Sequence, residues 1–200
     1  MRAKLLKWLK GIAEHNIDDR DLRKLIERPL GVLDRAENLH SFDCIVYPIS
    51  DRSELARFIV GIAGEYIGDK TKGASFELVK RSPREVLFDW EQFDREFSGS
   101  ERQYKQIKKH VDEVMIPQIH SLEYFSIAES VRTKYRKYMR GFLRFGSEEK
   151  ERTYAALHGK KILVLDDINT TQSTINEILR AIKTINNDND IYIFTLLGKE

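Results

Sequence analysis

Gly159-Lys160-Lys161 leads directly into Ile162-Leu163-Val164-Leu165, and this stretch restricts the fold more than any other in the chain. Four consecutive apolar residues leave no polar face for solvent, so a strand built from them must be covered on both sides, as an inner strand of a parallel sheet is. Two carboxylates, Asp166 and Asp167, close that strand. A polar run, Asn169-Thr170-Thr171-Gln172-Ser173-Thr174, follows them. Helical spacing then predicts a helix from about Ser173 to Ile185, and a β-branched run predicts a last strand over 191–197.

An earlier segment repeats the pattern. Phe42-Asp43-Cys44-Ile45-Val46-Tyr47 is a short apolar run ending at Pro48, a turn is expected over 50–53, and Leu55, Ile59, Ile62 and Tyr66 mark a helix running from Ser53 to Gly68. Residues 76–79 read as the next strand. Two strand, loop, helix, strand units in one chain predict an α/β fold with a mostly parallel sheet flanked by helices.

Residues 1–40 read as an amino-terminal helical appendage. Leu5, Trp8, Leu9 and Ile12 have helical spacing, and Asp18 or Asp19 caps a second helix that Pro29 is expected to stop. The α/β domain then covers 41–200, with a charged and aromatic helical insertion at about 82–131. Within it Ile107, Val111, Val114 and Met115 predict a helix up to Pro117, with a long helix after it.

Charge and cysteine content narrow the function classes. The 34 basic and 32 acidic residues nearly cancel, so a surface wholly devoted to nucleic acid or acidic lipid is excluded and any phosphate site is local. One cysteine, Cys44, excludes an intramolecular disulfide and a cysteine-rich zinc site, and the histidines show no paired ligand spacing. A cytoplasmic protein with no membrane span is expected, because Lys7, Lys10 and Gly11 interrupt the first apolar stretch.

The run that starts at Leu165 carries the chemistry. A loop before a helix offers unpaired N–H groups and the positive end of the helix dipole, so a phosphate fits against Thr170, Thr171, Gln172, Ser173 and Thr174. Carboxylates cannot hold phosphate, so Asp166 and Asp167 suit a diol or a cation. They are read as exposed acids whose replacement costs little stability. A capped strand-to-helix turn without ligand is the alternative, since Ser and Thr are ordinary caps.

This stretch resembles the fingerprint of type I phosphoribosyltransferases, in which an apolar strand, two acids and a Thr-Thr-Gly-x-Thr loop grip phosphoribosyl pyrophosphate (PRPP). The resemblance is nearest to the ComF-like branch and covers roughly 42–81 and 132–199. It implies that Asp166 and Asp167 bind the ribose hydroxyls as the catalytic pair and that Thr170 to Thr174 bind the 5′-phosphate. Gln172 stands where the pattern usually has glycine, and Asn169 where it usually has an apolar or small residue.

The same resemblance assigns pyrophosphate to Ser50, Asp51, Arg52 and Ser53 after the first strand, to Lys80 and Arg81 after the next, and to Arg140. It implies Mg²⁺ held through PRPP rather than by direct protein ligands, a base as acceptor, and a hood drawn from 1–40, from 82–131 or from another subunit. A homodimer is one expected assembly. Trp90, Phe93, Tyr104 and Tyr124 serve either to stack a base or to pack a core.

Arg132, Lys134, Arg136, Lys137, Arg140 and Arg144 interleave with aromatics. That stretch reads as an active-site loop, a nucleic-acid contact or a solvated basic face. The function expected is transfer of ribose 5-phosphate from PRPP to a nucleobase or related nitrogen heterocycle. A non-catalytic PRPP or nucleotide sensor and a nucleic-acid-associated protein are the alternatives.

Overall fold

The computed structural model describes residues 19–49, 55–68, 75–169 and 172–198. The expectations for residues 1–18, for Ser50 to Ser53 and for Thr170 and Thr171 lie outside these, as do those for the side chains of Asp167 and Asn169. In chain order the elements are α1 (Asp19–Glu37), a 3₁₀ turn (Leu39–Ser41), β1 (Cys44–Pro48), α2 (Leu55–Ile67) and β2 (Ser75–Lys80). A second 3₁₀ turn (Pro83–Glu85), β3 (Leu87–Phe88), α3 (Trp90–Glu96), α4 (Glu101–His110), a π turn (Val111–Met115) and α5 (Ile116–His120) follow. Then come α6 (Ile127–Ser130), α7 (Thr133–Arg136), β4 (Met139–Arg140), β5 (Leu143–Phe145), α8 (Glu148–Ala155), β6 (Lys161–Asn169), α9 (Ser173–Ile185) and β7 (Asp190–Gly198).

The main sheet has the order β5-β2-β1-β6-β7, and β1 pairs in parallel with β2 and β6, as β6 does with β7. At the β2 edge Arg81 N–H bonds Phe142 O, while Gly146 N–H bonds Glu77 O. The partners ascend on one strand as they descend on the other, which makes β5 antiparallel. A mostly parallel sheet flanked by helices is therefore the architecture, as the double strand-helix-strand pattern indicates.

The chain divides into two compact units, one of residues 1–79, 145–169 and 182–200, the other of 80–144 and 170–181. In the first, Ile45 and Tyr47 of β1, Leu163 and Leu165 of β6 and Phe194 of β7 form one core with α1 and α2. Alternation along each strand sends Cys44, Val46, Ile162 and Val164 to the other face, and all are buried there too. Burial on both faces is why β6 reads as an unbroken apolar run.

Two helix boundaries differ from expectation. Pro29 does not stop α1, which continues to Glu37. Ile26 and Leu30, on either side of it, are fully buried in the core. Each contributes about 1.5–3 kcal/mol, which together outweigh the roughly 3 kcal/mol of a proline inside a helix. Pro117 likewise falls inside helical structure. The turn ahead of it widens so that Ile116 N–H bonds Val111 O, and helix resumes through the proline as α5.

The long helix expected after Pro117 is absent, and two four-residue helices, α6 and α7, stand there instead. The Arg136 guanidinium draws that segment into turns, donating from Nε to Val131 O at 2.8 Å and from Nη2 to Ala128 O at 2.6 Å. Around it Phe88, Trp90, Phe93, Phe97, Tyr104, Tyr135 and Tyr138 make a chain of ring contacts that forms much of the second unit's core. Of the aromatics singled out in the sequence, Phe93 is buried in this chain while Trp90 and Tyr104 are half-buried.

Candidate functional site

From β1 the chain passes through α2 to β2 on one side, and from β6 through α9 to β7 on the other. The order of winding therefore reverses between β1 and β6, two adjacent parallel strands. Loops that leave neighbouring strand ends at such a point diverge and open a crevice, which is where open α/β sheets take ligands. Val46 lies opposite Val164, so two residues further along Pro48 comes abreast of Asp166. The last residues of β1 therefore lie beside Asp166 on β6.

β6 does not end at Leu165. Its ladder with β7 continues through Asp166 opposite Thr195 to Asn169 opposite Gly198, so the acid pair lies within the strand. Asp166 shares the face of Ile162 and Val164 and is 4% exposed, which corrects the reading of it as an exposed acid. A buried carboxylate in a strand is held in one orientation by its neighbours, whereas one in a loop would swing freely.

At the start of α9, Gln172 has φ 58°, the left-handed conformation in which glycine is comfortable and a side chain is strained. Its carbonyl accepts Asn176 N–H at 2.8 Å, the first helical bond of α9. The backbone at the departure from the usual glycine therefore keeps the shape a glycine would give. Ser173 is buried and Thr174 half-buried just inside the helix.

Several expected phosphate cations are engaged elsewhere. Lys80 Nζ lies 3.9 Å from the Tyr124 ring centroid. Arg81 donates from Nε to Leu143 O at 3.1 Å and from Nη1 to Glu85 Oε1 at 3.1 Å, joining the end of β2 to β5. Lys137 pairs with Glu96, whose carboxyl is held at about 2 by Lys137 first and by Gln92 and Tyr138 after it. With Arg136 bonded to carbonyls and Lys134 over Tyr135, half of the six cations of the basic stretch are tied into their own unit.

Arg140 opens onto a cleft of about 340 Å³ in the second unit, lined by Asp89, Gln92, Lys137, Met139, Asn176, Glu177, Leu179 and Arg180 as well. Sequence reasoning missed Glu177. It is 1% exposed, and its Oε1 accepts Phe142 N–H at 2.9 Å, Leu143 N–H at 3.3 Å and Arg180 Nη2 at 2.6 Å, while Oε2 accepts Arg180 Nε at 2.8 Å. Hydrogen bonding to Glu177 raises the Arg180 guanidinium further above its ordinary range. The only signal in sequence was a glutamate three residues before an arginine on a helix, a spacing common on solvated faces.

Among the described residues no group of three or more His, Cys, Asp and Glu is arranged to hold a metal, and no helix is long and apolar enough to cross a membrane. No family model and no curated protein matches the sequence. Solved structures do. The chain is similar to a hypoxanthine phosphoribosyltransferase of Staphylococcus aureus in a tetragonal crystal form, at 12% identity and a TM-score of 0.43, over 91% of this chain and 65% of that one. In an orthorhombic form of that enzyme the identity is 11%, with the same TM-score and coverage. The chain thus spans about 65% of the length of these structures. The α/β assignment rests on strand order and register, not on this likeness.

Proposed function

We propose that the chain binds PRPP and transfers its ribose 5-phosphate to a nucleobase or related nitrogen heterocycle, releasing pyrophosphate. The reversal of strand order between β1 and β6, with the acid pair on β6 at that point, is the observation that supports this most. In this reading Asp166 and Asp167 accept hydrogen bonds from the ribose diol. The amides and hydroxyls of Thr170 to Thr174 hold the 5′-phosphate at the start of α9, with Gln172 supplying the turn. Pyrophosphate falls to the Ser50 to Ser53 segment with Arg52, since Lys80 and Arg81 are in use within the second unit and Arg140 lines that unit's own cleft.

Breaking the C1–O bond builds positive charge on the ribose and negative charge on the leaving group. Carboxylates beside the ribose and donors beside the pyrophosphate would stabilise both without a nucleophilic side chain. The Asp166 carboxylate is a hard oxygen donor of the type Mg²⁺ prefers, and Mg²⁺ bound with PRPP would neutralise the diphosphate.

Calorimetric titration with PRPP and Mg²⁺ tests the reading. Saturable binding is expected for the wild-type chain and none for Asp166→Asn with Asp167→Asn. Unchanged affinity in the double variant, or no binding by the wild-type chain, refutes the site. Pyrophosphate release in the presence of a panel of bases separates a transferase from a sensor.

A further inference from the structure

The cleft of the second unit is built differently from a sugar-phosphate loop. Its lining carries three cations, Lys137, Arg140 and Arg180, against two acids, Asp89 and Glu177, and Glu96, bonded to Lys137, brings the acids to three. Glu177 and Arg180 are matched to one another by two short bonds, and Lys137 is matched to Glu96. Arg140 is the weakly matched member. Its closest acid, Asp89 Oδ2, lies 3.5 Å from Nη1, and its Nε is buried with no acceptor.

A buried guanidinium N–H without an acceptor is unusual, and a charge compensated at only one long distance leaves attraction for a further anion. The space beside it is far larger than a water site, having room for roughly ten water volumes. Met139 and Leu179 give that space apolar wall, while Gln92 and Asn176 bring amides to it. Such a combination of apolar wall and a few polar groups describes a small-molecule site.

Charge then selects the ligand class. A phosphate dianion would bring two negative charges next to Asp89 and Glu177, with no net positive charge to meet them. A monocarboxylate brings the smallest anionic charge to the weakly matched Arg140. We propose that this cleft binds a small organic monocarboxylate with an apolar body, its carboxylate against Arg140 and its body against Met139 and Leu179. This assignment stands apart from the PRPP reading, since every residue it uses lies in the second unit and none belongs to the proposed PRPP site.

The full chain, without PRPP, is titrated with benzoate as probe, followed by calorimetry and by saturation-transfer nuclear magnetic resonance. Saturable benzoate binding is expected, with benzamide, its neutral counterpart, at least tenfold weaker. Arg140→Gln should weaken benzoate tenfold or more. A second variant, Asn176→Asp, adds a negative charge to the wall at an exposed position in the first turns of α9, where an acid is favourable to the helix, and should also weaken benzoate tenfold. The assignment is overturned if benzoate does not saturate, if benzamide binds equally well, if folded Asn176→Asp binds benzoate as the wild-type chain does, or if inorganic phosphate displaces benzoate at equal concentration.

Discussion

Replacing Glu177 by alanine is expected to lower stability by about 3 kcal/mol, and the structure says where that loss falls. Four N–H donors converge on this carboxylate, two from the backbone at Phe142 and Leu143 and two from Arg180. Arg180 is 40% exposed, so on losing its partner it regains water and most of its contribution is recovered. Phe142 and Leu143 are buried and cannot do so. Each backbone N–H left without an acceptor costs roughly 1–3 kcal/mol, so a value near 3 falls in the lower half of what two of them give.

Glu177→Gln is the discriminating comparison. Its carbonyl oxygen still serves Phe142 and Leu143, while its amide turns a donor toward Arg180 Nε, so the loss should be about 1–1.5 kcal/mol. Urea unfolding gives the global values, and hydrogen exchange at the Phe142 and Leu143 amides gives the local ones. Alanine should speed exchange there on the order of a hundredfold and glutamine about tenfold, following 1.4 kcal/mol per factor of ten. An alanine variant within about 0.5 kcal/mol of wild type, or a glutamine variant as damaged as alanine, refutes the view that backbone satisfaction is the role of Glu177.

Gln172→Gly should raise stability by about 0.5–1 kcal/mol in thermal unfolding, because relief of a left-handed side chain exceeds the added chain entropy. A loss on that substitution would mean that the side chain holds the turn. Gly141→Ala should cost at least about 2 kcal/mol, since φ is 77° and a Cβ there would lie 2.5 Å from Glu85 O. A urea midpoint equal to wild type would contradict that geometry. Burial pushes the Cys44 thiol up to about 12, with Asp43 adding to it. In the unfolded chain the thiol loses its proton near pH 8.5 while the folded chain keeps it, so stability falls as pH rises between about 8.5 and 12, by roughly 1.4 kcal/mol per pH unit. Urea unfolding at pH 8 and pH 10 should show that fall in the wild-type chain and a smaller one in Cys44→Ala; equal slopes refute it.

How far the fold could be read in advance follows from how local its causes are. Ile162 to Leu165 announce a strand covered on both faces because burial of four adjacent residues is written in four adjacent residues. The helix over Ser173–Ile185 was legible for the same reason, in the spacing of Ile175, Ile178 and Ile182. The far end of β6 was not, because what extends it from Leu165 to Asn169 is pairing with β7. Pro29 misled because its local cost is visible in sequence while the burial of Ile26 and Leu30 that exceeds it belongs to a core assembled from distant segments.

The same division runs through the sites. The acid pair and the hydroxyl run are contiguous, so the expectation placed on them needed no geometry. The cleft around Arg140 and Glu177 gathers Asp89, Met139 and Asn176 from three separate stretches, and no window of sequence contains it. Gln172 lies between these cases. Its identity departs from the glycine of the phosphoribosyltransferase pattern, yet its φ of 58° keeps the conformation that glycine is chosen for, and its carbonyl still starts α9. A non-glycine residue held in a strained conformation persists only where the surrounding chain determines it. At Gln172 the determining contact is the first bond of α9, so the conformation at this position is set by the helix that follows it.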